Sequence, residues 1–129
     1  IAAKLKELGH SIEDYGCYDK NPVLYPDIGR KVAEAIAGGK HERGVLICGT
    51  GIGMCITANK IPGVSAAVCH DSFSAVRSRC SNNAQIMCMG ARVIGNELAK
   101  QLLEIAEQKN PDRDYAAMRE ILMPTEIGE

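Results

Sequence analysis

Tryptophan is absent from the chain, and aromatic residues make up only 4% of its 129 residues. Hydrophobic residues of all kinds reach 46%, so the core must be built from Val, Ile, Leu, Ala and Met. This composition favours an α/β fold over an aromatic-rich all-β sandwich. The length predicts a single domain over residues 1–129, in which roughly two-thirds of the surface of the unfolded chain is buried.

An excess of charge of either sign is also missing, since 15 basic and 16 acidic residues leave a net charge of −1. This balance gives no indication of nucleic acid or an anionic membrane as a partner, whereas a small anionic ligand needs only a few arginines. No apolar run approaches the roughly 20 residues of a membrane span. No signal peptide opens the sequence. We therefore expect no nucleic acid partner, no membrane partner and a cytoplasmic location.

Paired cysteine motifs are absent, although the chain has six cysteines. Without a CxxC pair, a structural zinc site is not expected. Cys48, Cys69 and Cys88 lie in or at the end of apolar stretches, where cysteine acts as a small hydrophobic residue. We expect reduced thiols rather than three disulfides, as is typical of a cytosolic protein.

Apolar runs alternate with helical patterns along most of the chain. Strands buried on both faces are expected at residues 44–48, 64–69 and 85–89, and a weak short strand at 11–15. Helices are expected at residues 1–8, 27–37, 54–59, 71–80, 93–108 and 112–122, with Asp27 and Asp71 as N-caps. This alternation indicates βαβ units, and therefore helices on both faces of a parallel sheet.

A glycine-rich segment, Gly49-Thr50-Gly51-Ile52-Gly53, follows the first buried strand directly. Ligands on open parallel sheets bind at the carboxyl ends of the strands. A glycine-rich turn that enters a helix leaves N–H groups free to face an anion. The segment is neither a P-loop nor the dinucleotide fingerprint, because neither continuation follows it. It predicts an anion-binding loop over residues 49–53.

Cys48 stands at the tip of that strand, next to the start of the following helix. A thiol in this position is expected to have a lowered pKa and thiolate character. Thr50 can donate a hydrogen bond to a developing oxyanion. The pattern suits proton abstraction next to a carbonyl group. The alternative, from spacing alone, is a buried core thiol at the end of a strand.

Two blocks, ICGTGIG at residues 47–53 and ANKIPG at 58–63, resemble the ribose-5-phosphate isomerase B and galactose-6-phosphate isomerase family. Further similarities are Tyr25-Pro26, Ser81-Asn82-Asn83 in the family's His-Asn position, and GARVIG at residues 90–95. The resemblance covers about residues 1–108. It implies a Rossmann-like three-layer α/β/α sandwich and the interconversion of phosphorylated aldoses and ketoses through a cis-enediol. It also implies that no metal or nucleotide cofactor is used.

The resemblance implies roles for individual residues. Cys48 matches the base that moves the proton between C1 and C2, in the branch of the family that has this cysteine rather than a Glu at the position of Met54. Thr50 matches a hydroxyl that assists at the substrate oxygen. Gly49, Gly51 and Gly53 match the anion hole for the enediolate. Tyr25 matches an aromatic residue of the sugar pocket, and Asn82 matches an Asn that binds sugar hydroxyls. Arg92 matches a phosphate-binding arginine.

Departures from the family pattern lead to further expectations. The family opens with a central strand and an Asp-His motif, and both would lie upstream of Ile1, so we expect the chain to be part of a longer protein. Ser81 replaces the His that assists ring opening. His70, which follows the second buried strand at the same sheet edge as Cys48, is a candidate replacement; the alternative is a polar residue at a strand end. Arg113 and Arg119 are candidates for reaching the phosphate held by a partner subunit, or else part of a solvated helix face.

The expected partners are a small phosphorylated sugar and further copies of the chain, in a homodimer or homotetramer with active sites shared between subunits. The sugar is expected to have five or six carbons, with four as a further option. Ribose 5-phosphate is not assumed to be the substrate, because the galactose-6-phosphate branch also varies at the ring-opening His. Because Ser81 replaces the ring-opening His, two alternatives remain. The chain would then be either a subunit of a galactose-6-phosphate isomerase type enzyme, or a non-catalytic subunit that binds a sugar phosphate. A nucleotide-binding regulatory domain is disfavoured, because GxGxxG is absent.

Overall fold

The computed structural model describes residues 1–16 and 25–107. Its elements in chain order are α1 (Ala2–Glu7), α2 (Tyr25–Ala37), β1 (Gly44–Cys48), α3 (Ile52–Asn59), β2 (Ala66–Val68), α4 (Ser72–Cys80), β3 (Ile86–Gly90) and α5 (Asn96–Ile105). The side chain of Tyr25, the helix expected at residues 112–122, and Arg113 and Arg119 lie outside the described residues. Within the described ranges, no helix is both long and apolar enough to cross a bilayer.

The three strands form a parallel sheet in the order β1-β3-β2. The central strand, β3, is buried along its whole length, as its continuous apolar sequence predicts. In its register with β1, Cys48 lies beside Gly90 and Gly44 beside Ile86. The carboxyl ends of β1 and β3 therefore meet at one edge of the sheet, directly where the glycine-rich segment begins.

Helices cover both faces of the sheet, so the three-layer α/β/α architecture is confirmed. Ile86 and Cys88 of β3 belong to a cluster with Ile36 of α2 and Met54 of α3. The side chains that alternate with them, Met87 and Met89, pack in a second cluster with residues of α4 and α5, including Ala75 and Leu102. This alternation follows from the two-residue period of a strand.

Several expected boundaries were wrong. The strand expected at residues 11–15 is not formed, because this segment pairs with none of the three strands of the sheet. Asp27 is not an N-cap, because α2 begins two residues earlier and places Asp27 in its first turn. Asp71 is confirmed as the cap of α4, where its Oδ1 accepts from the Ser74 N–H at 2.7 Å. The last described helix begins at Asn96 rather than at residue 93, with Gly95 as its N-cap.

Candidate active site

The turn after Cys48 directs main-chain amides at its sulfur. The Gly51 N–H donates to Cys48 Sγ over 3.1 Å. Gly51 is the N-cap of α3 and has a φ of +82°, a left-handed conformation that glycine adopts without strain. A Cβ at this position would also lie 3.0 Å from the carbonyl carbon of Met89, so only glycine allows this close turn.

The thiol of Cys48 is only partly buried. Burial raises the pKa of the thiol, but hydrogen bonds from the amides of Met54, Gly51, Thr50 and Gly53 outweigh this effect, so the pKa lies below its ordinary value. This is the arrangement expected of a thiolate at a helix N-terminus. The alternative of a sealed core thiol does not describe this residue.

The rest of the loop is open on one side. Thr50 is exposed, and its Oγ1 accepts from the Ile52 N–H at 3.2 Å, which leaves the hydroxyl proton available for another acceptor. Gly53 is also exposed and lies in the first turn of α3, since the loop ends at Gly51 rather than at Gly53 as predicted. A Cβ at Gly53 would meet no atom within 4 Å. The side chain of Met54 is buried in the core, as expected.

Backbone amides that follow β3 donate hydrogen bonds to the start of the loop. The Ala91 N–H donates to the Cys48 carbonyl at 2.8 Å, and the Arg92 N–H donates to the Gly49 carbonyl at 3.1 Å. A Cβ at Gly90 would lie 2.7 Å from the Thr50 backbone, so the loop rests directly on Gly90. This role of Gly90 was not predicted from the sequence. The available signal is the GARVIG block at residues 90–95, which begins with Gly90.

Arg92 and His70 lie at the same sheet edge as Cys48. The side chain of Arg92 is exposed, and its Cδ lies 3.8 Å from where a Cβ on Gly49 would stand. His70 is partly buried, and its Nε2 accepts a hydrogen bond from the Gly90 N–H at 2.8 Å. Two groups therefore lie near the candidate base: the guanidinium of Arg92, which is a cation suited to a phosphate, and the imidazole of His70.

Ser81 and Asn82 lie at the opposite edge. Ser81 is the C-cap residue of α4 and Asn82 is exposed. Both come before β3, whose amino end lies beside Gly44, where the Gly44 N–H donates to the Gln85 carbonyl. With a rise of about 3.3 Å per residue, the length of β3 separates them from the Cys48 edge by roughly 13 Å. A single copy of the chain does not bring Ser81 or Asn82 to Cys48.

A cleft of about 1060 Å³ runs along the free edge of β1, and Cys48 is not among the residues that line it. Its lining includes Val45, Leu46 and Ile47 together with residues of α1 and of the segment 10–16. Polar side chains also line this cleft, but Lys40 and His41 are both hydrogen-bonded to Glu13, so we place the candidate site at Cys48 on chemical grounds. Among residues 1–16 and 25–107, no group of three or more His, Cys, Asp or Glu is arranged to hold a metal ion.

Comparisons with known proteins identify the family of the chain. The family model described as Ribose/Galactose Isomerase matches residues 1–118. The chain is 56% identical over 106 residues to a D-erythrulose-4-phosphate isomerase of Pectobacterium atrosepticum, a match that covers 80% of this chain and 68% of that one. It is 53% identical over 104 residues to a ribose-5-P isomerase B of Listeria innocua, covering 81% of this chain and 70% of the relative.

Among solved structures, the ribose-5-phosphate isomerase B of Clostridium thermocellum is similar with a TM-score of 0.84 and 42% sequence identity. That match covers 92% of this chain and 80% of the solved one. The chain therefore belongs to the ribose/galactose isomerase family, and it is a sugar-phosphate isomerase with the Rossmann-like fold of that family.

Proposed function

We propose that the chain interconverts a phosphorylated aldose and ketose through a cis-enediol, with the thiolate of Cys48 as the base. The observation that carries this proposal is the 3.1 Å hydrogen bond from the Gly51 amide to Cys48 Sγ, at the open carboxyl edge of the sheet. The thiolate removes the proton from the carbon next to the carbonyl group and returns it to the former carbonyl carbon, while the proton of the neighbouring hydroxyl passes to the former carbonyl oxygen. The thiolate is regenerated in each cycle, so no other reagent is consumed.

The same amides serve both charged states. Before proton transfer the negative charge is on the sulfur, and after it the charge is on an oxygen of the enediolate. The hydrogen-bond donors at the start of α3 are suited to stabilise the charge in both positions. They are the amides of Gly51 and Gly53 and the Thr50 hydroxyl. Gly49 has no side chain, which leaves space for the sugar beside the loop. Loss of one such donor typically lowers kcat by about 10²–10³-fold.

Arg92 is the proposed phosphate ligand in the described part of the chain. Its exposed guanidinium stands beside the loop, and a planar fork of donors suits a phosphate dianion. Arg113 and Arg119 of a neighbouring copy are the proposed second source of positive charge, although they depart from the family's own C-terminal pattern. The proposal uses no metal or nucleotide.

A second copy of the chain supplies the remaining groups of the site in this proposal. Ser81 and Asn82 lie about 13 Å or more from the Cys48 edge of their own sheet, so Asn82 can bind a sugar hydroxyl only in the site of another subunit. Exposed apolar side chains surround the Cys48 edge: Ile52 at the start of α3, Phe73 at the start of α4, and Val93 after β3. Phe73, which is 74% exposed, is the kind of residue that a subunit interface covers. We propose a homodimer or homotetramer with shared sites.

The substrate class follows from the chemistry of ring closure. A tetrose 4-phosphate cannot close a five-membered ring, because the oxygen that would close it carries the phosphate. Such a sugar needs no acid–base group for ring opening, and a Ser hydroxyl at residue 81 is a poor one near neutral pH. The 56% identity to a D-erythrulose-4-phosphate isomerase supports this choice, and the 53% identity to a ribose-5-P isomerase B keeps pentose 5-phosphates in the class. We propose tetrose 4-phosphates as the preferred substrates.

The test is a panel of tetrose, pentose and hexose phosphates assayed for isomerisation. We expect turnover of erythrose 4-phosphate to rise in proportion to enzyme concentration. With ribose 5-phosphate, which is mostly cyclic, the rate should level off at high enzyme concentration because uncatalysed ring opening becomes limiting. Ser81→His should remove this plateau. Binding of a sugar phosphate without any turnover would instead support a non-catalytic binding subunit, and turnover confined to galactose 6-phosphate would support that branch of the family.

A further inference from the structure

His70 continues the pairing of β2 with β3 beyond the point where the backbone ladder ends. The last regular pair is Val68 with Cys88, and the Cys69 N–H still donates to the Cys88 carbonyl at 3.0 Å. At the next step the side chain of His70 replaces the main chain, and its Nε2 accepts from the Gly90 N–H at 2.8 Å. The final amide of β3 is therefore held by an imidazole rather than by a carbonyl group.

Gly90 in turn supports the catalytic loop. There is no space between Gly90 and Thr50, since a Cβ on Gly90 would lie 2.7 Å from the Thr50 backbone. The residue after Gly90 donates to the Cys48 carbonyl. The residue after that is Arg92, whose N–H donates to the Gly49 carbonyl. Any shift of Gly90 consequently moves both the candidate base and the candidate phosphate ligand.

We propose that His70 is a positioning residue that acts through Gly90, and that it does so only in its neutral form with the proton on Nδ1. An unprotonated Nε2 accepts from the amide, whereas a protonated Nε2 would direct an N–H at another N–H and break the contact. The catalytic part of this inference rests on the proposed isomerase function.

This role differs from replacement of the ring-opening His. A ring-opening group must exchange a proton with the sugar, and an Nε2 that accepts from a backbone amide is not free to do so. The test therefore follows the contact through the Gly90 amide as well as through the rate.

Two variants separate the roles. In His70→Gln, the side-chain oxygen can take the place of Nε2 as an acceptor, but it does not titrate. In His70→Leu, the acceptor is lost. We expect His70→Leu to lower kcat about tenfold with little change in KM, and His70→Gln to restore kcat to within about threefold of the wild type, on cyclic and acyclic sugars alike. In ¹H–¹⁵N NMR spectra of the full chain, a scalar coupling across the hydrogen bond should join the Gly90 amide nitrogen to His70 Nε2 in the wild type. The Gly90 amide signal should move upfield in His70→Leu, because its acceptor is lost, and should stay close to its wild-type position in His70→Gln.

Three results would overturn the proposal: a wild type with no coupling between the Gly90 amide nitrogen and His70 Nε2, a His70→Leu variant with wild-type kcat, or a His70→Gln variant that fails on ribose 5-phosphate yet turns over erythrose 4-phosphate normally. The last result would make His70 the ring-opening group. If His70→Leu does not fold, the coupling in the wild type and the kcat of His70→Gln still decide. If the wild type turns over no sugar phosphate, the proposed function fails, and the same coupling still shows whether His70 holds Gly90.

Discussion

Gly90 and Thr50 are in such close contact that a single added methyl group on Gly90 would lie 2.7 Å from the Thr50 backbone. Real Cβ atoms do not approach backbone atoms so closely, so the loop that follows Cys48 can take its position only over a glycine. The contact joins the end of β3 to the turn after β1. It explains why the two strand ends act together as one site.

The first prediction is that Gly90→Ala displaces the loop. Because a displacement of about 1 Å at a reacting group can lower the rate about 10²-fold, we expect a loss of at least that order in kcat/KM, measured with the sugar phosphate that the panel identifies. Gly95→Ala is the matched control, since a Cβ there would meet no atom within 4 Å and no left-handed φ is required. Equal activity of the two variants would contradict the steric argument.

The second prediction concerns Arg92. Arg92→Lys keeps the positive charge but loses the planar fork of donors, so we expect KM for the sugar phosphate to rise about 10-fold, and Arg92→Met to raise it about 100-fold. Arg30→Lys is the control, because Arg30 is an exposed arginine of α2 whose ion pairs among the described residues are with Asp27 and Glu34. Initial-rate kinetics give both constants. An unchanged KM in Arg92→Met would remove this residue from the phosphate site.

The third prediction is a pH dependence. The Cys48 pKa is lowered overall, because amide donors outweigh burial, and only the thiolate is a base, so activity should rise with pH through a midpoint below that of an ordinary thiol. Iodoacetamide alkylation of Cys48, followed by mass spectrometry, should show the same midpoint. Hydrogen bonding from Cys88 lowers the pKa of Cys55 to about 7, so Cys55 would also react. Trypsin leaves Cys48 and Cys55 in the same peptide, residues 44–60, so the experiment is done in Cys55→Ser.

Cys69 provides the internal control for alkylation. Burial raises the pKa of its thiol, and its side chain is inaccessible, so it should react last across the same pH range. Its tryptic peptide, residues 61–77, contains no other cysteine. If Cys48 reacted no faster than Cys69, the lowered pKa of Cys48 would be contradicted.

The fourth prediction tests the shared site by mixing inactive variants. Cys48→Ala lacks the base, whereas Asn82→Ala lacks a group that is proposed to serve the neighbouring subunit. When the two are unfolded together and refolded at equal amounts, half of the dimers should be mixed, and one of the two sites in each mixed dimer should be intact. We expect recovery of about a quarter of the wild-type activity. No recovery, with mixed dimers demonstrated by native mass spectrometry, would place all the groups of the site in one subunit.

Much of the sheet could be predicted from the sequence, because β1 is a continuous apolar run and β3 is buried on both faces. The second strand is shorter than its apolar run, and side chains explain the difference. The Ser65 N–H donates to Gln85 Oε1 at 2.8 Å, and the amide of Asn59 makes two hydrogen bonds to the backbone of Ala66. Hydrophobicity alone does not reveal that a side chain has replaced a neighbouring strand.

Cys48 and its loop could be predicted because they are contiguous in sequence and their chemistry is local. The link from His70 to Gly90 joins residues 20 positions apart, and no local pattern indicates it. The position of Ser81 and Asn82 likewise depends on the direction of β3. A motif match assigned both residues to a site, but only the topology shows that they lie at the other edge of their own sheet.

The fifth prediction tests most directly whether Cys48 is the base. The measurement is the exchange of the C2 proton of the aldose phosphate with solvent in D₂O, followed by NMR. Cys48→Ala should bind the sugar phosphate but show no exchange above the uncatalysed rate. Cys55→Ala, which removes a thiol from the same helix–strand unit, should exchange within about threefold of the wild type, because surface and near-core thiol substitutions of this size have modest effects. Exchange at the wild-type rate in Cys48→Ala would show that another group is the base.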